Sequence, residues 1–203
     1  MKKYYSNKEL ADKLSIPLTK VRRYASIILA PDEEASLQSG KTRKHNLQES
    51  FHIYLCSHMI TKMGLTMNEV QAILEDISPW LEQNGIYPGS PRKGEPDEIV
   101  YVDYQPNEDG GWPVAEPWYY PIEIHIIRAN TPSGFFYRTI KEIPDSRKKK
   151  KVKGREITEV QFEEGFILQP SERYILDHLN VYLLKITSLT GDFTMKIEGR
   201  QPF

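Results

Sequence analysis

The sequence predicts an α+β fold: an all-α N-terminal part built on a helix-turn-helix, residues 1–84, followed by a mainly β part, residues 85–203, arranged as a sandwich or barrel. Three observations predict it. Before residue 84 apolar side chains recur every three or four positions, the period of an amphipathic helix. Residues 84–121 are dense in proline and glycine, which marks a linker and long loops. Beyond them come short runs rich in β-branched and aromatic residues that alternate in part, separated by turn residues.

Four helices are read in order. Ser6 with Glu9 three residues later forms a capping box, and Leu10, Ala11 and Leu14 give the first helix its apolar face. Pro17 separates it from a second helix in which Leu18, Val21, Ala25 and Ile28 repeat at helical spacing. A separation of three or four residues is that of a helix-turn-helix. Asn46 and Glu49 start a third helix through Phe51, Tyr54, Leu55, Met59 and Met63, which Gly64 ends. Thr66 and Glu69 form another capping box, and Met67, Val70, Ile73, Leu74, Ile77 and Leu81 line the fourth helix.

Residues 31–46 lack helical periodicity. They run from Pro31 and Asp32-Glu33-Glu34 to Gly40-Lys41-Thr42-Arg43-Lys44-His45 and read as a hairpin or wing. Strands are expected at Ile99–Tyr104, Ile122–Arg128, Phe135–Ile143, Ile157–Phe162, Val181–Ser188 and Phe193–Ile197, with a turn at Thr190-Gly191-Asp192. Ser171–Leu179 reads as strand or short helix. The basic run Arg147 to Lys153 falls between two strands, where a long hairpin loop is its natural place, either simply solvated or a second contact for DNA or an acidic partner.

Charge is unevenly spread. The 203-residue chain has a net charge of −1, yet residues 1–62 hold eleven lysines and arginines against six acids, a balance of +5. Residues 13–31 and 35–48 contain seven bases and no acid. A local basic patch suits a polyphosphate, because each neutralised phosphate releases condensed counterions. A solvated basic surface would carry the same charge.

The order of helix, turn, helix, basic wing and helix pair resembles the winged helix-turn-helix DNA-binding domain of the MerR family over about residues 4–78. The matching stretches are Tyr5-Ser6-Asn7-Lys8-Glu9-Leu10-Ala11, Ile16-Pro17-Leu18-Thr19-Lys20-Val21-Arg22-Arg23-Tyr24 and Met63-Gly64-Leu65-Thr66-Met67-Asn68-Glu69-Val70. The last is similar to the family's Leu-Gly-Phe-Ser-Leu-Glu-Glu-Ile pattern. Arg22-Arg23-Tyr24 stands where the family commonly has Arg-Tyr-Tyr, and only Gly40 and Arg43 remain of its Gly-Tyr-Arg-x-Tyr wing. The family's long dimerising helix has no counterpart, because proline and glycine interrupt the chain from Tyr87 onward.

The resemblance implies double-stranded DNA as partner and a role in transcription regulation. A helix in the major groove would present Thr19, Lys20, Arg22 and Arg23 to base edges and phosphates, with Thr19, Arg22 and Arg23 on one face. Tyr24 joins the candidate set, with a place at the core edge as its alternative. Lys41, Arg43 and Lys44 would track neighbouring phosphates. A homo-oligomer and a small-molecule effector are further expected partners. Trp112, Trp118, Tyr119, Tyr120, Phe135, Phe136 and Tyr137 would either line an aromatic effector pocket or fill a β core. The rival class is a protein-interaction adaptor that grips a partner protein with the same helices.

No enzyme, cofactor or metal site is expected. His45, His52, His58, His125 and His178 lack metal spacing, Cys56 has no second thiolate, and no phosphate-loop or catalytic-serine motif occurs. Glu123 and His125 share one side of a strand, as a polar pocket wall or an exposed face. A lone cysteine, no run of roughly 18 apolar residues and a start without an apolar signal core point to the cytoplasm and away from a membrane.

Overall fold

A computed structural model describes residues 4–30, 43–88, 122–129, 131, 133–143, 148–152, 155–167 and 176–199. The expected strand at Ile99–Tyr104, the residues Trp112 and Trp118 to Tyr120, and Gly40 and Lys41 lie outside them.

The four N-terminal helices form as their periodicity predicts: α1 (Asn7–Leu14), α2 (Leu18–Ile28), α3 (Leu47–Met63) and α4 (Met67–Gln83). Three have capping boxes. Ser6, Asn46 and Thr66 each accept the backbone N–H of the glutamate three residues on, and Glu9, Glu49 and Glu69 return to the cap's own N–H. Each box satisfies two helix-end donors that would otherwise lack partners. Gly64 closes α3 at φ 71°, a left-handed conformation that glycine adopts without a Cβ clash. The short strand β1 (Tyr5–Ser6) pairs antiparallel with β2 (Lys44–His45), Tyr5 opposite His45.

The C-terminal half contains β3 (Ile122–Ala129), β4 (Phe135–Glu142), β5 (Lys148–Val152), β6 (Arg155–Glu159), β7 (Phe162–Phe166), β8 (Leu176–Lys185) and a helix, α5 (Ile186–Glu198). Four strands make one antiparallel sheet in the order β7-β4-β3-β8, and β5 and β6 pair with each other as a separate ribbon. Among the described residues this is a single open layer rather than the expected sandwich or barrel. The reason is that helices bury its inner face, so no second sheet is required to cover Ile124, Ile126, Phe135, Tyr137 and Leu184.

Four local expectations are corrected. Phe193–Ile197 is helix, and Thr190-Gly191-Asp192 lies inside α5 instead of forming a turn. Buried Ile186, Leu189, Phe193 and Ile197 are spaced three and four apart, which is helical, although the threonines, the isoleucines and Gly191 favour strand and turn locally. Packing outweighs the cost of glycine in a helix, about 1 kcal/mol against alanine. Ile157–Phe162 divides between β6 and β7. Within the basic run Lys148–Val152 forms strand β5 rather than a loop.

One continuous core joins the N-terminal helices to the sheet. Phe193 of α5, fully buried, packs 5.2 Å from Phe51 and 5.7 Å from Tyr54 between ring centroids, both on α3. Tyr54 donates to Asp192, and Lys196 pairs with the same carboxylate at 2.8 Å. Lys13 Nζ donates to the Ile197 carbonyl at 2.6 Å, tying α1 to the end of α5. On the other side Tyr137 of β4 donates to Asp76 of α4 at 2.7 Å. Arg128 of β3 reaches Glu69 at 2.6 Å while lying over the rings of Phe135 and Tyr182.

Candidate nucleic-acid interface

The turn between α1 and α2 is three residues, Ser15 to Pro17. Ser15 takes a left-handed conformation (φ 55°), the one non-glycine residue with positive φ among those described. The Ile16 N–H closes back on the Ala11 carbonyl at 3.1 Å, and Lys20 and Val21 N–H groups close on the Pro17 carbonyl. This geometry sets α2 against α1 through Leu10, Ala11 and Leu14 on one side and Val21, Tyr24 and Ala25 on the other.

Burying Val21, Tyr24 and Ala25 fixes which side of α2 meets solvent. Thr19, Lys20, Arg22 and Arg23 are all exposed. Ser26 is exposed too, and its hydroxyl donates to the Arg23 carbonyl at 2.9 Å. Residues 19, 22, 23 and 26 follow the three-to-four spacing of one helical stripe. Ser26 is legible from that spacing, but it carries no charge and so does not stand out in the sequence.

Tyr24 lies apart from this stripe. It is 3% exposed and belongs to the core. Burial pushes its hydroxyl upward from the ordinary tyrosine range, as does proximity to the Cys56 thiol, while a hydrogen bond with Ser57 and the charge of Arg23 act against this. The side chain packs behind α2, at the edge of the core.

Beyond α2 the surface continues as a cleft of about 360 Å³ lined by Lys20, Arg23, Tyr24, Ile60, Leu65, Thr66 and Met67. Lys20 and Arg23 thus face the first turn of α4, whose aligned N–H groups carry partial positive charge. Thr66 and Met67 are additions to the interface expected from sequence. Their signal is the capping box, which marks a helix start but not its neighbour in space.

Of the expected basic loop, Lys41 lies outside the described residues. Arg43 has internal partners: its guanidinium donates to the Ala30 carbonyl at 2.7 Å and pairs with Glu49 at 3.5 Å, leaving the side chain 18% exposed. It therefore pins together the two ends of segment 31–42. Lys44 is exposed on β2, where pairing with Ser6 holds it beside the start of α1. His45, opposite Tyr5, is buried and shares a hydrogen bond of 2.9 Å with Asn7.

The other candidate groups are structural in their surroundings. Cys56 is buried, with its thiol pushed up to about 12 by desolvation, 3.9 Å from the Met67 sulfur. His52 shares hydrogen bonds with Tyr87 at 2.7 Å and Ser78 at 3.3 Å, and burial lowers it to about 4 despite the nearby Glu49. Glu123 and His125 lie 3.7 Å apart on a partly exposed strand face. Phe135, Phe136 and Tyr137 are buried. Among the described residues no group of three or more His, Cys, Asp or Glu is arranged to hold a metal, and no helix is long and apolar enough to cross a membrane. Compared with family models, curated proteins and solved structures, the chain gives no match.

Proposed function

We propose that this protein binds duplex DNA in a sequence-dependent way and regulates transcription, using residues 4–78 as a MerR-like winged helix-turn-helix. The observation that carries the reading is the exposed stripe of α2. Thr19, Lys20, Arg22 and Arg23 stand free of the core on a helix without an acid. An eleven-residue helix is roughly 16 Å long and about 10–12 Å across with its side chains, which suits the roughly 12 Å major groove. The cations supply phosphate attraction, and arginine's fork can meet guanine edges. Lys44 at the base of segment 31–42 supplies a phosphate contact beside the groove. A cytoplasmic location is part of the proposal and rests on the lone buried thiol.

The test uses the full chain, because Phe193 of α5 completes the core of α3. A preferred duplex is selected from random fragments and titrated at several salt concentrations against a scrambled duplex. Arg22→Ala and Arg23→Ala are expected to weaken binding and relax preference at particular base pairs by roughly 1–3 kcal/mol each. Lys44→Ala is expected to weaken both duplexes alike and lower the salt slope by about one unit. A chain that binds no duplex at low salt, or binds without salt dependence, refutes the DNA reading. Variants that bind like the parent refute the assignment of DNA binding to this face and favour a protein partner for it.

A further inference from the structure

Net positive charge is concentrated in two segments of this chain. Residues 147–159 hold seven lysines and arginines and two glutamates, a formal +5. Residues 1–62 carry the other +5, and with −1 for the whole chain all remaining residues together carry −11. A solvated acidic protein has no need to gather its cations in this way, and like charges held close repel one another. The two glutamates offset part of that cost, and a polyanion lying against the remaining cations would offset the rest.

The second basic region has a definite form. Strand β5 pairs antiparallel with β6 from Lys148 opposite Glu159 to Val152 opposite Arg155, so only two residues, Lys153 and Gly154, connect the strands. The ribbon extends the β4–β7 hairpin. Pairing in the main sheet runs to Glu142 opposite Phe162, and the Ile143 N–H still bonds the Gln161 carbonyl. Five residues then separate Glu142 from Lys148, against two between Glu159 and Phe162. The register therefore shifts by three, and the ribbon leaves the sheet as a two-stranded arm of its own. Lys148 is exposed, and the Lys150 side chain is 61% exposed while meeting Glu159 at 3.1 Å.

Lysine on an edge strand also discourages edge-to-edge pairing, but one or two suffice for that. Here four stand in succession, with Arg147, Lys153 and Arg155 beside them. A five-residue strand spans roughly 17 Å. Along one strand of duplex DNA a phosphate charge falls every ~3.4 Å of axis, so an arm of this length faces about five phosphates. A two-stranded ribbon also has the cross-section that a DNA groove admits.

We propose that the β5–β6 ribbon is a second DNA contact, a basic arm that meets duplex phosphates and does not read bases. The proposal rests on the DNA reading of α2 and adds a partner surface that the helix-turn-helix does not contain. In recognition terms the arm supplies affinity and salt dependence, and α2 supplies sequence preference.

The experiment compares the full-length parent with Lys148→Gln/Lys150→Gln and with Arg22→Ala on the selected and scrambled duplexes, from low to moderate salt. Glutamine stays polar and removes the charge at two exposed positions. Matching far-UV circular dichroism and urea midpoints establish that the double variant is folded, and Lys150→Gln alone serves if it is not. The expected result is a log–log salt slope lowered by about 0.9 for each phosphate left unneutralised, hence by nearly two units in the double variant and one in Lys150→Gln. The selected-to-scrambled affinity ratio stays unchanged, whereas Arg22→Ala changes that ratio. A parent-like slope in the arm variant overturns the proposal while leaving α2 binding intact. An arm variant that instead loses binding to poly-glutamate assigns the ribbon to an acidic protein and overturns it too. A parent that binds no duplex at all removes both readings together.

Discussion

Phe193→Ala tests whether the C-terminal helix is an integral part of the core of the N-terminal helices. The Phe193 ring is fully buried between Phe51 and Tyr54 of α3, and the same helix is tied to α1 through Lys13 and to Tyr54 through Asp192. Truncation of a buried phenylalanine costs about 3–5 kcal/mol, the sum of forfeited transfer energy and a residual cavity. Its ring packing against Phe51 and Tyr54 disappears as well, each pair worth roughly 0.5–1.5 kcal/mol beyond area, which places the expected cost toward the upper end. Against an ordinary stability of about 5–15 kcal/mol, this leaves a domain at the low end near its unfolding midpoint at 25 °C and one at the high end folded with a reduced margin. Urea denaturation followed by circular dichroism gives the total destabilisation. Native-state hydrogen exchange, read at the amides of α1–α4 and of β3–β4, gives its distribution. One shared core predicts that both sets lose protection by the same amount. A destabilisation under about 1.5 kcal/mol, or weakened sheet amides with unchanged α1–α3 amides, would refute the joint core and make residues 4–88 a self-sufficient unit.

Three further outcomes follow from buried groups. His52 is held near 4 in the folded chain against about 6.5 unfolded, so the unfolded state binds an extra proton between those values. Stability is therefore full above pH 6.5 and falls by up to about 3 kcal/mol as pH drops to 4, and His52→Gln flattens this decline; parent and variant unfolding curves with equal pH dependence would contradict it. Cys56, with its thiol raised by burial, resists iodoacetamide at pH 8 until urea unfolds the chain, and labelling of the native protein at a free-thiol rate would show the site to be open. Tyr137→Phe removes the hydrogen bond to Asp76 that joins sheet to α4 and costs about 1–2 kcal/mol of stability, read from the urea midpoint, while a neutral result would mean that the carboxylate is satisfied by solvent.

The N-terminal helices are legible in the sequence because their signals are local. Ser6 with Glu9, Asn46 with Glu49 and Thr66 with Glu69 each complete a capping box within one turn, and the apolar period of α1–α4 recurs over successive turns without a competing pattern. Lys20, Arg22 and Arg23 are legible as a basic face for the same reason, since a helix's period fixes which residues share a side. At α5, local and non-local signals conflict: threonine, isoleucine and Gly191 favour strand and turn, and the buried face against Phe51 and Tyr54 decides for helix.

What composition does not supply is partnership across long separations. Arg43 is held by Ala30 and Glu49, and Tyr24 packs in the core at the edge of the cleft beside Lys20 and Arg23. The single sheet, its helical cover and the emergence of β5–β6 from the β4–β7 hairpin depend on pairings such as Glu142 with Phe162 and Lys148 with Glu159. The sequence by itself determined where helices begin and which of their faces are apolar, because backbone hydrogen bonds and side-chain period act within a few residues. Only the tertiary structure decided which charges are engaged internally and which stand exposed, because that depends on groups brought together from distant parts of the chain.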